Sequence, residues 1–122
     1  MTEDVGKEFK KLKIPVDFVA RKNQLNVKAS EVHLLHVHLA KGLEFPFVIV
    51  VGVADGKYPN MHRMKAAKDE EQKLEEYDKS ARSLYVALSR AARGLTMLQD
   101  PTRQSQLVSF LNPADWEVHE NF

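Results

Sequence analysis

The stretch FPFVIVVG, residues 45–52, decides the fold class. Residues 47–51 form a continuous apolar run rich in β-branched side chains, and Pro46 and Gly52 bound it. Such a run is typical of a strand that is buried on both faces, as in a parallel sheet covered by helices. The stretch therefore predicts a strand over 47–53 that is covered on both sides.

Helical and strand patterns precede this run. Val5, Phe9 and Leu12 recur at helical spacing and predict a short amphipathic helix, which Pro15 ends. Strands are predicted at 16–20 and 32–38, with a polar loop over 21–30 between them.

A long helix and a further strand follow the run. Over 69–93, apolar side chains fall three or four residues apart and predict one long helix, with Gly94 as its C-terminal stop. A strand at 95–98 and a short helix near 107–111 come next. This order predicts an α/β fold in which helices flank a parallel-rich sheet of 32–38, 47–53 and 95–98.

Composition limits the classes of protein to consider. The chain has 122 residues, 18 basic and 17 acidic, and no cysteine. Its length fits one domain, 1–122, and the absence of cysteine excludes disulfides and thiolate catalysis. No apolar run is long enough to cross a bilayer, and the acidic N-terminus does not resemble a signal peptide. We therefore expect a soluble, cytoplasmic chain with no membrane partner.

Two segments contain residues suited to binding a nucleotide. In the loop 38–45, glycine follows Lys41 and lets the backbone approach a ligand closely, and Glu44 can accept hydrogen bonds from a ribose. Near the end of the long helix, Arg90 offers a planar, permanently charged donor to phosphate oxygens. The residue types alone leave open a solvated turn and a helix end that complements its dipole.

These two segments also resemble a known family. HVHLAKGLEFPFVIVVGVADGKYP, residues 36–59, is similar to motif V and its downstream strand in UvrD/Rep-like superfamily I DNA helicases. RSLYVALSRA, residues 82–91, resembles motif VI of the same family. The order and separation of the two motifs also fit, and the resemblance extends over most of the chain, from Lys11 to Leu111.

The resemblance implies a fold and a nucleotide site. It places the chain in the C-terminal part of the second RecA-like domain, called 2A, a P-loop NTPase-type fold, with ATP bound between it and the first RecA-like domain. Arg90 would be the catalytic arginine that reaches the γ-phosphate. Gly42 and Glu44 would line the nucleotide site, with Glu44 near the ribose, and Lys41 and Arg82 would brace it.

The resemblance also implies nucleic-acid and metal partners. His36 and His38 lie in motif V, whose first strand and loop are close to single-stranded DNA in the family. Mg²⁺ would be bound by the first RecA-like domain and not by this chain. The chain has no phosphate-binding loop of the form GxxxxGK[ST], and the stretch 52–58 falls one residue short of it.

Two further patterns imitate metal sites. The tetrapeptide DEEQ at 69–72 resembles a magnesium motif, but no apolar strand precedes it, and we interpret it as a helix N-terminus. On a strand, His36 and His38 share a face while His33 points to the other, so the three histidines do not converge on a metal. We therefore expect no metal site in this chain.

The resemblance thus implies part of an ATP-dependent DNA helicase that moves 3'→5' on single-stranded DNA. Because the phosphate-binding loop is missing, we expect this chain to be inactive without the first domain. One alternative is the helicase part of a helicase–nuclease of the AddA or RecB kind. Another is a non-catalytic remnant that acts as a protein-interaction module. The departures from the family pattern at His36, Leu39, Lys79 and Ser80 favour the remnant, whereas residues 41–44 and Arg90 argue against it.

Overall fold

The structure is a computed structural model that describes residues 2–21, 25 and 30–120. Within these residues the α-helices are α1 (Thr2–Lys11), α2 (Met61–Ala66) and α3 (Glu70–Leu88). The strands are β1 (Val16–Val19), β2 (Val32–Leu35), β3 (Phe45–Val53) and β4 (Ala91–Gln99). Short 3-10 helices lie at Val37–Leu39, Gln106–Phe110 and Pro113–Asp115. The predicted loop 21–30 falls mostly outside the described residues.

The strands form two separate parallel pairs. β1 pairs with β2, with Val16 opposite Val32, and β3 pairs with β4, with Val48 opposite Leu95. Parallel strands and packed helices confirm the α/β fold class, but the prediction of a single sheet containing 32–38, 47–53 and 95–98 is wrong. β2 ends early because the N–H of Leu39 donates to the carbonyl of His36 at 2.9 Å and starts a 3-10 turn.

The end of the long helix also differs from the prediction. α3 ends at Leu88 instead of Arg93, because the N–H of Phe45 donates to the carbonyl of Arg90 at 2.9 Å and draws the chain into the ladder with β3. Gly94 is therefore not a helix stop. It lies within β4, and a Cβ atom there would sit 2.6 Å from Cδ1 of Phe47.

The core lies between α3 and one face of the β3–β4 pair. Val53, Leu84 and Leu107 are its buried members. The apolar stripe predicted for α3 is confirmed at most positions, although Leu74 is 62% exposed. Partly buried side chains complete this core: Val50, Tyr58, Tyr77, Ala81, Leu88, Met97 and Val108.

The other face of the β3–β4 pair is open to solvent. Phe47 is 72% exposed and Ile49 is 61% exposed, and Val51 and Leu98 are also exposed. The prediction that β3 is covered on both faces is therefore wrong for the described residues. α3 covers one face, and α1 does not cover the other because it packs against β1 and β2. No helix in the described part of the chain is long and apolar enough to cross a membrane.

Candidate functional site

A tightly turned loop connects β2 to β3. The N–H of Leu43 donates to the carbonyl of Ala40 at 3.0 Å, and Ala40 is buried beneath the turn. Gly42 has a φ of 79°, in the left-handed region that glycine adopts without steric cost. This backbone conformation explains why a glycine follows Lys41, and the loop leaves Glu44 exposed immediately before β3.

Arg90 lies against this loop. Its Nη1 donates to the carbonyl of Leu43 at 3.2 Å, although 47 positions separate the two residues in the chain. The ladder of β3 and β4 begins at the same point, so the loop and Arg90 lie together at the amino ends of these two strands. This confirms the expected proximity of Arg90 to Gly42 and Glu44, whose roles stay predictions.

The guanidinium of Arg90 is held from a second direction. Its Nη2 donates to Oγ of Ser89 at 3.0 Å. Its Nε is buried and has no hydrogen-bond partner. Among the described residues, every other buried side-chain N or O atom has one. Arg90 is accordingly half-buried.

The structure does not bring every predicted residue to this point. Arg82 is exposed on α3, seven residues before Ser89. The two residues are therefore separated by about 10 Å along the helix axis. Its bracing role stays a prediction, and no hydrogen bond joins it to the loop 41–44 in the described structure. Lys41 is exposed within the loop.

His36 and His38 form a stacked pair of rings. Their centroids are 5.5 Å apart and the ring planes differ by 14°. Both residues are exposed, and they belong to the 3-10 turn instead of a strand. His33 lies apart from them, and its Nδ1 is 3.3 Å from Oδ2 of Asp17 across the β1–β2 pair. The two rings lie on the same side of this turn, but the strand on which the shared face was predicted ends at Leu35, so that basis is wrong. Their contact with DNA stays a prediction.

The stretch that imitates a magnesium motif has a structural use. Oδ1 of Asp69 accepts a hydrogen bond from the N–H of Gln72 at 2.8 Å, and Oε1 of Gln72 accepts one from the N–H of Lys68 at 3.0 Å. These bonds cap α3, which confirms the interpretation of 69–72 as a helix N-terminus. No group of three metal-ligating side chains occurs among residues 2–21, 25 and 30–120.

Two departures from the family pattern also have structural partners. Ser80 is buried, and its Oγ accepts a hydrogen bond from the N–H of Asn60 at 3.0 Å, which ties α3 to the start of α2. Lys79 lies 3.0 Å from carboxylate oxygens of both Glu75 and Glu76, and hydrogen bonds to these two groups raise its pKa. Neither side chain lies at the Arg90 end of the helix.

The stretch 52–58, which is similar to a phosphate-binding loop in sequence, lies at the carboxyl ends of β3 and β4, away from Arg90. The N–H of Asp55 donates to the carbonyl of Arg103 at 2.8 Å, and the guanidinium of Arg103 donates back to the carbonyl of Asp55 at 2.9 Å. Burial raises the pKa of Tyr58 in this segment. Packing against the chain near Arg103 thus accounts for its turned conformation.

Sequence reasoning missed the role of Ser89. Its hydroxyl contacts the guanidinium of Arg90 directly. The available signal was a hydroxyl residue immediately before the arginine. The carbonyl of Leu43 could not be identified in that way, because every residue has a carbonyl group.

Sequence comparison shows the family to which the chain belongs. The profile of the UvrD-like helicase C-terminal domain matches residues 5–100. DNA helicase II of Escherichia coli is 36% identical over 85 residues, which are 70% of this chain and 11% of that protein. UvrD1 of Mycobacterium tuberculosis is 39% identical over 85 residues, 70% of this chain and 10% of the relative.

A third relative extends the match along the chain. The putative ATP-dependent DNA helicase YjcD of Bacillus subtilis is 32% identical over 120 residues, which are 90% of this chain and 15% of the relative. The chain thus spans 10–15% of the length of these three relatives. Together with the profile match, these similarities show that the chain belongs to the UvrD-like helicase family and corresponds to its C-terminal domain.

Proposed function

We propose that this chain forms part of the second RecA-like domain of an ATP-dependent DNA helicase and supplies one wall of the ATP site. The observation that carries the proposal is the hydrogen bond from Arg90 to the carbonyl of Leu43, which joins motif VI to the motif V loop. Both motifs must meet for a single nucleotide to contact them. The helicase names of the relatives support the same conclusion.

Each residue has a proposed task at this site. Arg90 reaches the γ-phosphate from across the cleft and stabilises the charge that develops during phosphoryl transfer. Glu44 accepts hydrogen bonds from the ribose, and Gly42 lets the backbone approach the nucleotide. Lys41 and Arg82 contribute positive charge at the margin of the site.

The stacked pair of His36 and His38 is proposed to contact single-stranded DNA. Exposed aromatic faces stack on the bases of single strands without sequence preference, and both rings are exposed. The pair lies four or more residues before Gly42, so one short loop carries both contacts. We include 3'→5' movement on single-stranded DNA in the proposal because the motifs resemble those of UvrD-like helicases.

Mg²⁺ and the phosphate-binding loop are assigned to the first RecA-like domain. When bound with ATP, Mg²⁺ would neutralise charge on the β- and γ-phosphates. Residues 1–122 alone are therefore expected to show no ATPase activity above background, with or without single-stranded DNA.

Substitution of Arg90 tests the proposal. In the complete helicase polypeptide that carries this segment, Arg90→Ala should lower the kcat of DNA-stimulated ATP hydrolysis about a thousandfold, because the arginine acts mainly on the transition state. Nucleotide binding should change little. Steady-state ATPase kinetics and binding of a fluorescent ATP analogue measure the two effects.

Arg93→Ala is the matched control, since Arg93 is exposed in β4 only three residues away and should not affect turnover. Near wild-type kcat in Arg90→Ala would show that the motif VI assignment is wrong. The interaction-module alternative makes a different prediction: the complete polypeptide that carries this segment would bind a protein partner and show no ATPase activity. The open face around Phe47 favours this alternative.

A further inference from the structure

The side chain of Ser89 links the end of α3 to the guanidinium of Arg90. Its Oγ donates to the carbonyl of Val86 at 3.2 Å and accepts from Nη2 of Arg90 at 3.0 Å. The first contact fixes the hydroxyl on the last turn of the helix, and the second uses the remaining acceptor capacity of the oxygen. On the other side, the carbonyl of Leu43 accepts from Nη1. Two neutral acceptors thus hold the guanidinium from both sides.

The donors of Arg90 can be counted atom by atom. A guanidinium carries five N–H groups, of which two belong to each Nη and one to Nε. One N–H of each Nη is bonded within the chain, and the N–H of Nε is buried. The second N–H of each Nη makes no hydrogen bond within the described part of the chain. An anion can therefore approach only through Nη1 and Nη2, because the approach through Nε and one Nη is closed.

We propose that Ser89 is a positioning residue that, with the carbonyl of Leu43, holds the guanidinium of Arg90 in place before nucleotide arrives. The γ-phosphate is then met by the two remaining N–H groups of Nη1 and Nη2. The inference rests on the proposed function of Arg90 and adds to it a residue without contact to the nucleotide. An arginine has several rotatable bonds, so fixing them in advance removes an entropic cost from the reaction step.

The first test uses the 122-residue chain and needs no nucleotide. The Nε–H signal of Arg90, identified in ¹H–¹⁵N spectra by its loss in Arg90→Lys, reports how well the guanidinium is held. Ser89→Thr and Ser89→Val form the decisive pair, because threonine and valine have the same shape and only threonine has a hydroxyl. Loss of one such hydrogen bond should speed solvent exchange of this proton about tenfold in Ser89→Val.

Ser109→Ala is the matched control. The hydroxyl of Ser109 also donates to a carbonyl three residues earlier, that of Gln106, but it contacts no arginine. Exchange in Ser89→Thr and Ser109→Ala should stay at the wild-type rate. Equal exchange in Ser89→Thr and Ser89→Val would overturn the inference, as would no change in Ser89→Val. If Ser89→Val lost its far-ultraviolet circular dichroism, Ser89→Ala would replace it with the same two outcomes.

A second test separates this inference from the proposed function. In the complete helicase, Ser89→Val should lower kcat about tenfold with the KM for ATP unchanged, and Ser89→Thr should restore kcat. Loss of turnover in Arg90→Ala with normal kcat in Ser89→Val would overturn the positioning role alone. Normal turnover in Arg90→Ala would overturn the proposed function, while the exchange measurement would still decide whether Ser89 holds the guanidinium.

Discussion

Glu44 and Arg90 lie at one end of the β3–β4 pair but should affect ATP hydrolysis differently. A ribose contact is made equally in the ground state and the transition state, so Glu44→Ala should raise the KM for ATP more than it lowers kcat. Steady-state ATPase kinetics of the complete helicase measure both parameters. Glu31→Ala provides a control carboxylate outside the loop. A fall in kcat with unchanged KM would contradict the ribose assignment.

Asp100 gives a pH-dependent prediction that is independent of nucleotide. Its Oδ1 accepts hydrogen bonds from Oγ1 of Thr102 at 2.6 Å and from the N–H of Thr102 at 2.9 Å, and these bonds lower its pKa from 3.8. Since the folded state prefers the carboxylate, this contribution to stability is present above pH 3.8. It is lost as the pH falls through the lowered pKa of the folded state.

Thr102→Val removes the hydroxyl, which makes the stronger of these two contacts, and should therefore move the pKa of Asp100 back towards 3.8. The return should be partial, because the N–H donor of residue 102 remains. Titration of the Asp100 carboxyl carbon by nuclear magnetic resonance measures the change. Thr96→Val, at an exposed threonine of β4, is the control and should leave the titration unchanged. An unchanged pKa in Thr102→Val would contradict the assigned cause.

At the scale of elements, the contact of α1 with β1 depends on a glycine. Gly6 is buried in the middle of α1, and a Cβ atom there would lie 2.0 Å from Cζ of Phe18. Helix propensity favours Gly6→Ala by about 1 kcal/mol, but the ring occupies the space that a methyl group needs. Phe18 is 42% exposed, so it can move outward only by losing its packing on α1.

We therefore expect the effect of Gly6→Ala to change sign with the residue at 18. Gly6→Ala should lower the free energy of unfolding when Phe18 is present and raise it by about 1 kcal/mol in the Phe18→Ala background. Urea unfolding of the four proteins of this cycle measures the coupling. The same stabilisation by Gly6→Ala in both backgrounds would show that the ring does not restrict α1.

Local sequence patterns predicted the presence of helices and strands better than they predicted where these elements end and which strands pair. The apolar run of β3 and the stripe of α3 were sufficient to predict a strand and a helix, because each pattern lies within a single element. The run did not predict which face of β3 is covered, since Phe47 and Ile49 are exposed. The end of α3 at Leu88 was not predictable, since it depends on a hydrogen bond between Arg90 and Phe45, which lie far apart in the chain. The pairing of β1 with β2 is non-local in the same sense. α2 was missed because its six residues are too few to show a period.

The candidate site shows the same division. The resemblance of two motifs supplied the residues Gly42, Glu44 and Arg90, and the structure confirmed that they lie at one end of the β3–β4 pair. The clamp on Arg90 depends on where a backbone carbonyl and a hydroxyl point after folding. Sequence patterns carry no information on such directions, so the contribution of Ser89 required coordinates.

At the scale of the whole molecule, the open face of β3 and β4 is the main departure from a closed α/β fold. Parallel sheets normally have both faces covered, and four apolar side chains are exposed on this face: Phe47, Ile49, Val51 and Leu98. Together they expose on the order of 400 Å² of apolar surface, which is comparable to the largest patch of a typical monomer, and such patches are often interaction sites. The isolated chain should therefore associate with itself as its concentration rises.

Replacing this surface should reduce self-association without unfolding the chain. Phe47→Thr combined with Ile49→Thr places β-branched side chains, which favour strands, at both positions and removes most of the exposed apolar area. We expect the weight-average mass in sedimentation velocity to fall towards that of the monomer, with the free energy of unfolding changed by less than about 1 kcal/mol. Val50→Thr is the control on the covered face, where a buried hydroxyl should cost about 1–3 kcal/mol and leave association unchanged. If the double substitution destabilised the chain as much as Val50→Thr, the face around Phe47 would have to be covered in solution.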